Sequence, residues 1–212
     1  MRIARLVYGR ETPGNNANTY IIANDDNEAI IIDPSAKNTR LINFIKSNNL
    51  KPVAVLLTHG HYDHIRGIPL LLENYKIPVY IHELDKEMLS NSRDNVSEYA
   101  FEKVFLNIET IPVMDEECLN IINNINILVM HTPYHTEGSC CYYLKDNKII
   151  FTGDSLFKNG IGRDDLPTSC PRFMEKSLDK LRALPDDVTI YPGHGDISTI
   201  GQEKKTNNLF MY

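Results

Sequence analysis

The run Thr58-His59-Gly60-His61-Tyr62-Asp63-His64 sets four side chains of metal-ligating type within six residues, directly after the apolar stretch Pro52-Val53-Ala54-Val55-Leu56-Leu57. Side chains two apart on an extended segment face the same way, so His59 and His61 can grip one ion from one side. Imidazole and carboxylate are ligands that zinc, iron and manganese accept, and Gly60 lets the backbone pass close by without a Cβ clash. An isolated histidine is ordinarily a satisfied core or surface residue. This cluster, delivered by a buried strand, points instead to a metal centre, and the fold has to bring distant segments up to it.

Three later segments have the same layout. The apolar run 127–130 ends in His131-Thr132-Pro133-Tyr134-His135-Thr136-Glu137-Gly138-Ser139, the run 149–152 in Gly153-Asp154-Ser155, and the run 188–191 in Pro192-Gly193-His194-Gly195. Each strand end offers a metal-type side chain, and functional groups of α/β sheets gather where strands terminate.

Apolar runs rich in Ile, Val and Tyr predict strands at 3–8, 19–23, 29–32, 53–57, 79–82, 127–130, 140–144, 149–152 and 188–191. Helical spacing appears at 38–48, 65–75, 83–90, 172–184 and 202–208. Early strands in close succession and later ones alternating with helices predict an α/β layered domain with a mixed sheet, one domain over 1–212. Residues 91–126 are polar, Asn-rich and weakly patterned, and are expected to form a long excursion or lid.

Composition narrows the partners. A formal charge of −6 without clustered Lys and Arg argues against nucleic acid. No stretch approaches the roughly 18 apolar residues that cross a bilayer, and residues 1–10 lack a signal-peptide layout, so no membrane partner is expected. Cys118, Cys140, Cys141 and Cys170 form no paired motif and are expected to be free thiols of a cytoplasmic protein.

In the order T-H-G-H-Y-D-H, T-P-Y-H-T-E-G-S, F-T-G-D-S-L-F and Y-P-G-H-G, the chain resembles the metallo-β-lactamase superfamily over residues 1–212. It is most similar to the glyoxalase II-like (hydroxyacylglutathione hydrolase-like) branch, through Gly162-Arg163-Asp164-Asp165 and Ser198-Thr199-Ile200-Gly201-Gln202-Glu203-Lys204. The resemblance implies an αββα sandwich of two mixed sheets with helices outside. It implies that His59, His61 and His135 bind one metal, that Asp63, His64 and His194 bind a second, and that Asp154 bridges both. Zinc is the first expectation for the two divalent ions, with iron or manganese as alternatives. The chain departs from the pattern at Tyr134, where glycine usually precedes the histidine, and, with only residues 196–212 after the last histidine segment, is expected to lack the C-terminal helical domain that contributes residues for glutathione.

The implied reaction is hydrolysis of an S-2-hydroxyacylglutathione or a related small thioester or ester by a metal-bridging hydroxide. Asp63 and Asp154 would set the charge and position of that hydroxide. Arg163 is expected either to meet a substrate carboxylate or to pair with Asp164 or Asp165. Tyr134 and Phe157 are candidates for the pocket wall. Asp33 either supports a ligand loop or serves only its Asp-Pro-Ser turn; His131 either supports the His135 motif or is structural, and His82 is read as structural. The alternatives are a mono-iron persulfide dioxygenase using His59, His135 and Asp154, and a noncatalytic metal-binding sensor. Monomer and homodimer are both open.

Overall fold

Alternation along each strand divides the apolar residues between two faces, and here both faces are covered. The computed structural model describes residues 1–9 and 15–211. Strands β1 (Arg2–Leu6), β2 (Thr19–Ala23) and β3 (Glu28–Ile32) form an antiparallel meander, and β4 (Lys51–Leu56), β5 (Val79–His82) and β6 (Ile111–Val113) add to it in parallel, in the order β1-β2-β3-β4-β5-β6. The second sheet contains β7 (Cys118–Ile122), β8 (Ile125–His131), β9 (Cys140–Leu144), β10 (Ile149–Gly153), β13 (Thr189–Pro192) and β14 (Ser198–Thr199), in the order β14-β13-β10-β9-β8-β7. A short hairpin, β11 (Leu156–Phe157) with β12 (Gly160–Ile161), follows β10.

The two sheets face each other across one apolar layer. Tyr20, Ile22, Ile30, Ile32 and Leu56 of the first meet Ile127, Val129, Tyr142, Leu144 and Phe151 of the second. The residues between them in sequence point outward: Ile21, Ile31 and Val55 pack with α1 (Arg40–Ser47) and α3 (Ile68–Asn74), and Cys141, Ile150 and Ile190 with α4 (Met174–Arg182) and α5 (Ile200–Thr206). The result is the four-layer αββα sandwich, with each large core side chain contributing about 1.5–3 kcal/mol through burial.

Several elements differ from the sequence expectation. The helix expected over 65–75 is two, α2 (Tyr62–Ile65) and α3, because Gly67 approaches Pro34, donating its N–H to the Pro34 carbonyl at 2.7 Å, and Pro69 sits in the first turn of α3. Residues Glu83–Ser90 form 3-10 turns rather than an α-helix, started by His82, whose Nδ1 accepts from the Leu84 N–H at 3.4 Å. The excursion at 91–126 is shorter than expected. Its second half supplies β6 and β7, short edge strands whose few residues carry little periodic signal. The first half is pinned by Asn95, which is fully buried and donates to the carbonyls of Met88 and Val104, each at 3.0 Å. Among the described residues no helix is long and apolar enough to cross a membrane.

Candidate metal centre

Strand direction explains why five separate segments meet. Parallel pairing of β3 with β4 puts Asp33 and the His59–His64 run at one edge. In the second sheet β8 and β10 both run antiparallel to β9, and β13 runs parallel to β10, so the segments bearing His135, Asp154 and His194 leave a common edge. Those edges lie together, and the seven side chains read from the sequence as ligands converge there.

Three overlapping triads result: His59, His61 and His135; His59, His64 and Asp154; and Asp63, His64 and His194, the ligand atoms of each lying within 4.8 Å of one another. The first and third coincide with the two groups implied by the resemblance. Asp154 lies between them, with Oδ1 3.3 Å from His64 Nε2 and Oδ2 3.5 Å from His135 Nε2 and 3.7 Å from His194 Nε2. His194 Nε2 also lies 3.1 Å from Asp63 Oδ2, and His61 Nδ1 is 3.0 Å from His135 Nε2.

The ring orientations are set by the surroundings. His64 Nδ1 donates to Asp33 Oδ2 at 2.9 Å, His135 Nδ1 donates to the Arg163 carbonyl at 2.7 Å, and His59 Nδ1 lies 3.1 Å from Thr58 Oγ1. In each ring Nε2 is therefore the nitrogen left for a metal. The Nε2 atoms of His59, His61 and His64, together with Asp154 Oδ1, are buried without a hydrogen-bond partner. Such orphaned atoms are costly unless something binds them, and an imidazole and carboxylate donor set fits divalent zinc, iron or manganese.

Electrostatics favour the same occupant. Burial, reinforced by neighbouring His64 and His61, holds His59 well below the usual imidazole range, and burial pushes His61 down to about 3, so both present lone pairs at neutral pH. Burial opposes charge on Asp154, but His194 and His64 overcome it and keep the carboxyl well below its usual range.

Glycine is required at positions that touch the ligands directly, Gly193 and Gly153 among them. A Cβ at Gly193 would lie 2.2 Å from Asp154 Oδ1 and 2.7 Å from His64 Cε1, filling the cradle itself. Gly153 has φ +48°, and its Cβ would lie 2.4 Å from Thr58 Oγ1, so the turn aiming Asp154 needs glycine on both counts.

Support also comes from residues outside the ligand set. Asp33 is more than a turn residue: besides holding His64 it accepts from Thr58 N–H at 2.9 Å and Thr58 Oγ1 at 2.7 Å. Asp85 is absent from the sequence-based candidates, yet its buried carboxylate accepts from Gly60 N–H at 3.0 Å, Thr136 Oγ1 at 2.7 Å and Gly138 N–H at 2.6 Å. It thereby ties the loop of His59 and His61 to the loop of His135. Nothing in the local pattern of Glu83–Ser90 signals this, because its partners are 25 to 53 residues away. His131 donates through Nε2 to the Glu137 carbonyl at 2.8 Å and stacks on His82 with ring centroids 4.1 Å apart, so both support the His135 motif from outside the centre.

The ligand cluster forms the floor of a cavity of about 920 Å³, walled by Asn15, Tyr62, Arg93, Val96, Tyr99, Phe157, Gly162, Arg163, Asp165, Leu166 and Pro167. Phe157 lies in this wall with its ring 6.1 Å from that of His194. Arg163 is there too, but its fork holds Asp165, Nε to Oδ1 at 2.6 Å and an Nη to Oδ2 at 2.9 Å. Tyr134 is corrected: it is fully buried behind the ligands and does not reach the cavity. Its hydroxyl donates to the Ser155 carbonyl and accepts from Gly162 N–H at 3.2 Å, because a phenol in place of hydrogen at this position has to turn into the outer apolar layer.

Comparison with known proteins agrees with this architecture. The family model described as the metallo-beta-lactamase superfamily matches residues 12–194. A probable metallo-hydrolase of Streptococcus pyogenes serotype M6 is 35% identical, covering 91% of this chain and 85% of its own. A protein of Haemophilus influenzae named hydroxyacylglutathione hydrolase GloC is 32% identical over 90% of this chain and 91% of its own. Among solved structures, the B3 metallo-beta-lactamase BLEG-1 superposes with a TM-score of 0.91 at 32% identity, covering 100% of both chains. TTHA1623 in a di-iron-bound form superposes at 0.84 with 29% identity, covering 97% of this chain and 98% of its own. With the ligand order, the sandwich and the convergent strand ends all in place, the chain is a metallo-hydrolase belonging to the metallo-beta-lactamase superfamily.

Proposed function

We propose that this protein is a thioester hydrolase of the hydroxyacylglutathione hydrolase kind, acting on an S-2-hydroxyacylglutathione or a similar small thioester at a two-metal centre. The observation that carries the reading is Asp154, one carboxylate set between His64, His135 and His194 at 3.3–3.7 Å, so that two histidine-rich triads share a single anion. His59, His61 and His135 would hold one ion, Asp63, His64 and His194 the other, with zinc proposed and iron or manganese accepted by the same donors. Bound divalent ions supply a water of lowered pKa and a Lewis acid for a carbonyl oxygen.

The chain's own residues do the positioning. Asn15 donates to Asp63 Oδ2 at 3.1 Å and His194 faces the same oxygen, so this carboxylate is fixed at the cavity floor. Asp63 and Asp154 lower the net charge of the centre and orient protons on any oxygen nucleophile bound there. Phe157 and Tyr62 give the floor an apolar flank that excludes water from the reacting bond. The relative from Haemophilus influenzae supports the substrate class by its name and by similarity over nine-tenths of the chain. The four free cysteines suit the reducing cytoplasm proposed as its location.

The test is elemental analysis of protein purified without added metal, with hydrolysis of S-lactoylglutathione and of a β-lactam followed on the same sample. Two metal equivalents with thioester turnover are expected. One iron without hydrolysis would replace this reading with the mono-iron dioxygenase, and full metal loading without turnover of any ester or thioester would replace it with a sensor.

A further inference from the structure

The cavity above the metal centre is far larger than a small acyl group requires, at about 920 Å³, and among the described residues its outer wall contains one cation with no charged partner. That cation is Arg93. Of the two arginines that line the cavity among the described residues, Arg163 already has a two-pronged bond to Asp165. Arg93 is exposed, and no acidic side chain pairs with it among the described residues. Its neighbour Asp94 is engaged elsewhere, accepting from Asn91 Nδ2 at 2.7 Å.

The guanidinium is not carried on a loose loop. Asn91 Oδ1 accepts from the backbone N–H of Arg93 at 3.0 Å and of Asp94 at 3.3 Å, the Arg93 carbonyl accepts from Val96 N–H at 3.1 Å, and the chain then turns through Val96 at φ 58° into buried Asn95 and Ser97 contacts. The Asn95 carbonyl accepts from Tyr62 N–H at 3.0 Å, joining this turn to the first residue of the helix that carries Asp63 and His64. The backbone under Arg93 therefore keeps a set distance from the metal centre. A planar, permanently charged fork in such a place matches a carboxylate, which it can bind through two parallel hydrogen bonds. The chain as a whole is anionic, at −6, so an anionic substrate needs a local positive contact of this kind.

We propose that Arg93 is the specificity-determining anchor for a carboxylate on the thiol half of the substrate, and that the protein selects thioesters whose leaving thiol is anionic. This rests on the reading that the scissile bond lies at the metal centre, with the small acyl group on the floor and the thiol half along the wall formed by Arg93, Val96 and Tyr99.

The experiment is calorimetric binding of S-hexylglutathione and of its diethyl ester to the metal-loaded protein, for wild type, Arg93→Ala and Arg93→Lys, alongside turnover of S-lactoylglutathione. Wild type is expected to favour the free acid over the diester by roughly tenfold or more, as a charged hydrogen-bonded contact predicts. Arg93→Ala should erase that preference and Arg93→Lys should restore part of it, while KM for S-lactoylglutathione rises with kcat little changed. No preference in wild type, or a preference that survives Arg93→Ala, overturns the anchor. A preference that depends on Arg93 without any thioester turnover leaves the anchor standing and removes the thioesterase reading; turnover without that preference does the reverse.

Discussion

His64 and Asp33 form a buried pair, Nδ1 to Oδ2 at 2.9 Å, that decides which imidazole nitrogen faces the metal centre. Burial opposes a charge on His64, but Asp154 and Asp33 together raise its pKa well above the usual imidazole range, so a divalent ion has to displace the Nε2 proton while Asp33 keeps the other on Nδ1. Asp33→Asn places an amide N–H where the carboxylate accepted, so the His64 ring is driven to protonate Nε2, its ligand atom. Metal affinity is expected to fall about 10–100-fold, as for other groups that orient a metal-bound histidine. Competition with a chromophoric chelator measures it, and an unchanged affinity would show that Asp33 serves only Thr58.

Asp154→Ala removes the anion shared by the two triads. Metal content should drop from two equivalents to one or fewer, and turnover by on the order of a hundredfold or more. The two readouts have to fall together: a variant that retains both equivalents would sink the bridging role.

Asp85 gives a prediction with a pH sign. Burial raises its pKa from 3.8 to about 6, although Thr136, Gly138 and Gly60 all donate to it. A carboxyl raised in the folded state contributes stability that is fully present below its unfolded pKa and is lost as pH rises through the folded value. The wild-type protein, stripped of metal, should therefore lose about 3 kcal/mol from this group between roughly pH 4 and 6. Asp85→Asn should abolish that slope, and at pH 7 should destabilise by about 1–3 kcal/mol because one acceptor replaces two and an amide N–H meets other donors. Urea melts across this range test both statements, and parallel curves for the two proteins would reject them.

Tyr134→Phe retains the packed ring and deletes the hydroxyl that holds Ser155 and Gly162. A cost of about 1–3 kcal/mol is expected for leaving those backbone groups buried and unpaired. Because the Arg163 carbonyl next to Gly162 fixes His135, metal retention against a chelator should weaken as well. Denaturation midpoints and metal retention equal to wild type would mean that the segment after Asp154 is held by other contacts.

What the sequence by itself determined is the ligand set's chemistry and the strands that present it. His59, His61, Asp63, His64, His135, Asp154 and His194 each follow an apolar run that forms a strand in the structure, because a short run of Ile, Val, Leu and Tyr between turn residues favours extended backbone with both faces buried. Tertiary structure decided the rest. Strand direction and sheet order bring the ligand-bearing segments to one place, a meeting that the sequence implied only through its resemblance to a family and not through local spacing. Asp85 gains its role from loops far away in sequence, Tyr134 is turned from cavity to core by the packing behind it, and β6 and β7 are edge strands made regular by their neighbours rather than by their own pattern. Arg93 differs from Arg163 only through Asp165 holding the one and Asn91 drawing Asp94 from the other. Such pairings depend on distances between side chains, which spacing along a chain does not specify once the backbone has turned.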